Sequence, residues 1–177
     1  MTPVQAIVAL VAAQRLAELA YARRNASRLI AAGGVEVGAG HYPLLVLVHA
    51  GWLAALWLLV PETAPVRWPW LAVFVLLQVG RLWVLRSLGR FWTTRIITLP
   101  GAAPVTRGPY RYCRHPNYFI VAGEIAALPL VFDAWRIALA FSLLNGAVLA
   151  WRIRVEDAAL AGRGATAALP EAESRER

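Results

Sequence analysis

The chain has no lysine; all 18 of its basic side chains are arginine. It has one cysteine, Cys113, which excludes an internal disulfide. Three scattered histidines, His41, His49 and His115, form no Cys/His cluster with metal-ligand spacing, so no metal is expected. Charge is sparse, at 16% of residues. What fills the chain is apolar: 59% of the 177 residues, against about 45–50% in a soluble domain. Several runs approach the roughly 20 residues of a membrane helix. The net charge of +8 sits in arginines at the ends of those runs, not on one basic face. That placement serves orientation in a bilayer and contact with anionic headgroups, so no nucleic-acid partner is expected.

The expected fold is all-α and integral to the membrane. Five apolar segments are legible: Pro3 to Tyr21, Tyr42 to Val60, Trp68 to about Arg90, Pro116 to about Phe132, and about Ile137 to Trp151. They form one domain over residues 1–160, followed by a polar tail over 161–177. The first segment lacks a basic n-region and a small-residue cleavage site, and reads as a retained helix. It carries Arg15 and Glu18 at i,i+3, either self-neutralising or turned inward to another helix. Glycines between residues 33 and 40 lack the strand and Lys-Ser/Thr ending of a phosphate loop, and read as a plain connection. His49, inside the second segment, suits a bond to a neighbouring helix better than a ligand role.

Arginine placement gives a topology. Arg23, Arg24 and Arg28 follow the first segment. Arg90, Arg95, Arg107, Arg111 and Arg114 separate the third and fourth. Arg152 and Arg154 follow the fifth, whereas the other loops carry only Arg67 and Arg136. The positive-inside rule puts the N-terminus outside and the C-terminus in the cytoplasm. A bacterial cytoplasmic membrane, with the active site facing the cytoplasm, is the expected location.

The chemistry concentrates between Arg107 and Glu124. Gly108-Pro109 reads as a turn. His115 precedes a proline and is pushed from helical angles, while Pro116 suits a first helical position. A helix start at Asn117 and Tyr118, with Arg114 and His115 beside it, is an anion site with free N–H groups. Glu124 lies about two turns deeper, roughly 12 Å, at the level of Arg81. The two are expected to pair, for structure or for catalysis, because neither charge is tolerable alone there. On the last segment Asn145, Arg152, Glu156 and Arg163 share one face. A cofactor pocket between the last two helices and the loop before them has anion donors on one wall and carboxylates on the other. That suits a zwitterionic cofactor bearing a carboxylate, ribose hydroxyls and a cation.

Gly108-Pro-Tyr-Arg-Tyr-Cys-Arg-His-Pro-Asn-Tyr118, followed by Arg152-Ile-Arg-Val-Glu156-Asp157-Ala-Ala-Leu160, resembles the isoprenylcysteine carboxyl methyltransferase family. The family pattern is Gly-Pro-Tyr, then Arg-His-Pro-x-Tyr, then Glu-Glu before a Leu. Arg15-Leu-Ala-Glu18, Asn25, Glu36-Val-Gly38 and His41-Tyr-Pro43 extend the likeness to bacterial members. The second acidic position here is Asp157, and a glycine expected two residues after Tyr118 is Ile120.

The resemblance implies S-adenosylmethionine as cofactor and a lipophilic acceptor arriving from the bilayer. It implies cofactor binding by Gly108, Pro109, Tyr110, Arg114, His115, Asn117, Tyr118, Glu156 and Asp157. Some bacterial relatives O-methylate long-chain alkylpyrones or alkylresorcinols. An ionised acceptor needs an arginine to hold it, with Arg152, Arg111 and Arg81 as candidates. A neutral one needs a base, with Glu124 or Glu156 available. Arg152, Glu124 and Arg81 are thus the candidate catalytic residues. The wider set includes phospholipid N-methyltransferases. A steroid-reductase-like membrane enzyme using NADPH is the other enzymatic reading, although such enzymes have Leu-Trp where this chain has Pro109-Tyr110.

Overall fold

The computed structural model describes residues 1–167; the tail from residue 168 onward, and the side chains of His41 and of residues 160–167, among them Leu160 and Arg163, lie outside the described residues. Five helices carry the chain: α1 (Pro3–Ala31), α2 (Tyr42–Leu59), α3 (Trp68–Leu88), α4 (Pro116–Val131) and α5 (Trp135–Ala167). Four are long and apolar enough to cross a membrane. The exception is α4, with 16 residues.

Helix α1 runs a full ten residues beyond the expected end at Tyr21, through Arg23, Arg24 and Arg28. Its start is set by a capping box: the Thr2 hydroxyl accepts from the Gln5 N–H, and the Gln5 side chain returns the bond to the Thr2 backbone. The glycine-rich connection is not featureless. Val35–Val37 forms strand β1, which pairs antiparallel with β2 (Ile96–Thr98), Glu36 opposite Ile97. Five of their six residues are β-branched, Glu36 being the exception. The exposed Arg95–Glu36 ion pair, at 2.9 Å, sits beside them.

One core joins Val4, Val8 and Val11 of α1 to Trp52 and Leu56 of α2, Phe74 of α3, and Ile125, Leu128 and Val131 of α4. Helices α3 and α4 approach closely through small residues. A Cβ on Gly123 would lie 3.0 Å from Leu77, and one on Gly80 would lie 3.3 Å from Ile120. Ile120, which replaces the family's glycine, is thus accommodated by Gly80 on the facing helix. At the arginine-rich end, buried Asn25 donates to the carbonyls of Gly89 (3.2 Å) and Trp92 (2.9 Å), tying α1 to the end of α3. His49 bonds within its own helix, not to a neighbour: its Nδ1 lies 2.9 Å from the Leu45 carbonyl oxygen.

Candidate functional site

Residues 107–116 turn from α3 into α4. Gly108 has φ +60, in the left-handed region, and a Cβ there would collide with the Ser87 hydroxyl. Only glycine lets this turn seat on α3. Pro109 is buried behind it, and the Arg107 Nε–H donates to the Ser87 carbonyl at 2.9 Å. His115 lies outside helical angles, at φ −126 and ψ 55, and Pro116 opens α4. The Tyr118 N–H, expected from the sequence to be free, instead donates to the His115 carbonyl at 3.1 Å, because the first turn of α4 closes on His115.

Against this start lies α5. The Arg152 Nε–H donates to the Tyr118 hydroxyl at 2.8 Å, and that hydroxyl donates to Glu156. Arg152 also donates to the Thr94 carbonyl at 2.8 Å, which fixes the loop after α3. His115 stacks on Tyr118, with ring centroids 5.2 Å apart and planes inclined by 16°. Its Nε2 is 3.2 Å from the Asp157 carboxylate and its Nδ1 is 4.0 Å from Glu156. The two helices are cross-linked by alternating charge, and each polar atom named has an opposite partner.

A cavity of about 160 Å³ opens at this junction. Tyr110, Arg114, His115, Asn117, Tyr118, Arg152 and Glu156 line it, bringing together seven residues singled out from the sequence. Gly108 and Pro109 are not in its wall; they support Tyr110. Asp157 reaches it only through His115. Burial, and then the Glu156 charge, raise the Tyr110 hydroxyl above its ordinary pKa, so the ring presents an uncharged phenol. The buried Asn117 Oδ1, in the same lining, has no partner among the described residues.

The remaining wall is segment 92–98, which sequence reasoning missed. Trp92, Ile96, Ile97 and Thr98 cover the cavity, and β1 holds β2 in place over it. The available signal was local: two three-residue, mostly β-branched runs, Val35–Val37 and Ile96–Thr98, each bordered by turns.

Arg81 and Glu124 are elsewhere, outside the cavity lining. They pair as expected, but within a larger cluster joining α1, α3 and α4. Glu124 accepts from the Arg81 Nε–H at 2.8 Å, from a second Arg81 N–H, from Gln78 at 2.7 Å and from Arg15 at 2.9 Å. Glu18 accepts from Arg15 at 2.9 Å, Arg81 at 3.0 Å and Gln14 at 2.9 Å. Arg15 and Glu18 thus do both things expected of them, pairing with each other and turning inward. Two arginines balance two glutamates. Arg111, the other candidate, is exposed over Tyr112.

The alternating donors and acceptors of the cavity match a zwitterion with hydroxyls. Cationic Arg114 and the α4 start suit a carboxylate. Glu156 suits hydroxyls, and the unpartnered Asn117 oxygen suits an ammonium or amine N–H.

The model of the isoprenylcysteine carboxyl methyltransferase family matches residues 70–162, which include both arms of the cavity. The uncharacterized protein YpbQ of Bacillus subtilis (strain 168) is 38% identical over 159 residues, covering 87% of this chain and 94% of its own length. An uncharacterized protein of Haemophilus influenzae is 29% identical over 160 residues, covering 86% of this chain and 91% of its own. No solved structure matches significantly. With its α4 start and α5 carboxylates inside the matched region, this chain belongs to the isoprenylcysteine carboxyl methyltransferase family, a family of membrane methyltransferases.

Proposed function

We propose that the protein transfers a methyl group from S-adenosylmethionine to an oxygen of a lipophilic acceptor, a carboxylate or an acidic enol or phenol, held in the membrane. The observation that carries this reading is the cavity in which Arg114, His115 and Asn117 face Glu156 and Arg152. Asn117 and Arg114 would hold the amino-acid end of the cofactor, Glu156 the ribose hydroxyls, and Tyr110 and Trp92 the base. The cofactor, when bound, supplies an electrophilic methyl carbon on a sulfonium.

The chain's own work is alignment and exclusion of water. Trp92, Tyr110 and Ile96 shield the cavity. Arg152 puts a positive charge beside the path of an acceptor oxygen. An ionised acceptor needs no base; its oxygen forms the new bond to carbon as the carbon–sulfur bond breaks and sulfur keeps the electron pair. In this reading all five helices span the membrane, in one domain through about residue 160. The cavity and the arginines at the ends of α1, α3 and α5 face the cytoplasm.

Calorimetric titration of the detergent-purified protein tests the proposal. S-adenosylmethionine is expected to bind and NADPH not to. His115→Ala and Glu156→Ala each should weaken binding by about tenfold or more. Radiolabelled methyl should pass into membrane lipid extracts. NADPH binding without S-adenosylmethionine binding, or unchanged affinity in both variants, overturns the assignment.

A further inference from the structure

We propose that a second cavity, at the end of α3, binds the phosphate head of an anionic phospholipid whose acyl chains lie along α3. The cavity is an open cleft of about 390 Å³ lined by Arg90, Arg107, Leu88, Phe91 and residues 103–106. Its lining contains two guanidinium groups and no carboxylate. Among the described residues neither Arg90 nor Arg107 meets an acidic side chain within 4.0 Å.

Both arginines are exposed, and each makes one contact within the chain. Arg107 is anchored by its Nε–H on the Ser87 carbonyl at 2.9 Å, and its Nη2 would lie 4.0 Å from a Cβ on Gly89. The Arg90 guanidinium lies 4.9 Å from the centre of the Phe91 ring. Two guanidinium forks lining one cavity match the two non-bridging oxygens of a phosphodiester better than one point charge would.

The apolar side of the ligand has its own track. Leu76, Val79 and Trp83 fall on one face of α3, 69%, 59% and 50% exposed, away from the face that packs on α4. Arg86, exposed and further along the same face, continues the line toward the cavity. An apolar stripe that ends in arginines is complementary to an acyl chain ending in an anionic head. Leu88 and Phe91 also line the first cavity, so the two sites lie back to back with a shared wall.

Native mass spectrometry of the full chain, released from mixed micelles of phosphatidylglycerol and phosphatidylcholine, tests this. The wild-type protein should retain phosphatidylglycerol with about a tenfold preference. Arg90→Gln should reduce that preference, and Arg90→Gln with Arg107→Gln should abolish it. Arg28→Gln, which removes an exposed arginine at the end of α1, should leave it unchanged. Circular dichroism and a thermal transition verify that the variants fold; Arg90→Gln leaves the Arg107–Ser87 contact in place if the double variant does not. An unchanged preference in Arg90→Gln, or an equal loss in Arg28→Gln, refutes the site. Displacement by millimolar inorganic phosphate would show that the α3 stripe plays no part and overturn the lipid assignment. Displacement by equimolar palmitate would overturn it in favour of a carboxylate amphiphile. None of these outcomes depends on methyl transfer.

Discussion

Replacing Glu124 with glutamine should destabilise the protein by about 3–5 kcal/mol, the cost of removing one member of a buried charge network. Glu124 is 1% exposed and Arg81 is 3% exposed. The carboxylate accepts hydrogen bonds from Arg81, Arg15 and Gln78. In Glu124→Gln the cluster holds two guanidinium groups and only Glu18 to oppose them, a net charge of +1 where the wild-type sum is zero. The new amide also turns N–H groups toward donors. Reversible unfolding by sodium dodecyl sulfate in mixed micelles, followed by circular dichroism, measures the loss. Arg81→Leu alone should cost a similar amount. The double variant Arg81→Leu with Glu124→Leu restores neutrality, and should cost at least about 2 kcal/mol less than the two single leucine variants together. Because Glu124 lies outside the cavity lining, Glu124→Gln should keep cofactor affinity within about twofold. Two results refute the reasoning. One is a cost below about 1 kcal/mol. The other is a variant of unchanged stability that no longer transfers methyl, which would make Glu124 a base.

The cavity offers three further tests. Tyr118→Phe removes the hydroxyl that joins Arg152 to Glu156, and should weaken S-adenosylmethionine binding by about tenfold in calorimetry while the helix content stays unchanged. Gly108→Ala meets both a positive φ and the Ser87 hydroxyl, and should lower stability by about 1–3 kcal/mol; Ser87→Gly in the same chain relieves the clash and should recover part of that in the same unfolding assay. The raised Tyr110 pKa sets a sign at alkaline pH: the unfolded chain loses this proton near the ordinary value of 10.0, the folded chain only above it. Stability from this group is complete below that pH and falls as pH rises past it, so stability measured between pH 9 and 11 should decline less steeply in Tyr110→Phe.

Much of the site was legible because its chemistry is local. Pro116 fixes where α4 begins, Gly108 fixes the turn before it, and Arg152 and Glu156 repeat at helical spacing. What was not legible is long-range. Ile96, Ile97 and Thr98 enter the cavity wall because β2 pairs with β1, and no local pattern in residues 92–98 names Val35–Val37 as its partner. Arg15 shows the same limit. Its spacing to Glu18 predicted one bond, but its second bond goes to Glu124 at 2.9 Å, a residue on another helix. Periodicity tells which face a charge occupies, not which neighbour completes it. His49 erred in the opposite sense, because a local carbonyl, that of Leu45, was within reach.

The short fourth helix links the two polar centres. Its 16 residues span about 24 Å, the shortest of the five helices. Tyr118 and Glu124 are six residues apart on it, about 9 Å along the axis. The cavity at Tyr118 thus lies nearer the arginine-rich end of the helices, and the charged cluster lies further along α4. In the proposed placement this geometry answers a physical conflict: a polar cofactor and a lipophilic acceptor must meet without either crossing into the other's solvent. The Arg15–Glu18–Arg81–Glu124 cluster holds α1 and α3 against α4 beneath the cavity. By closing the network on itself with zero net charge, it keeps the layer under the cavity rigid without drawing the acceptor's own charge deeper.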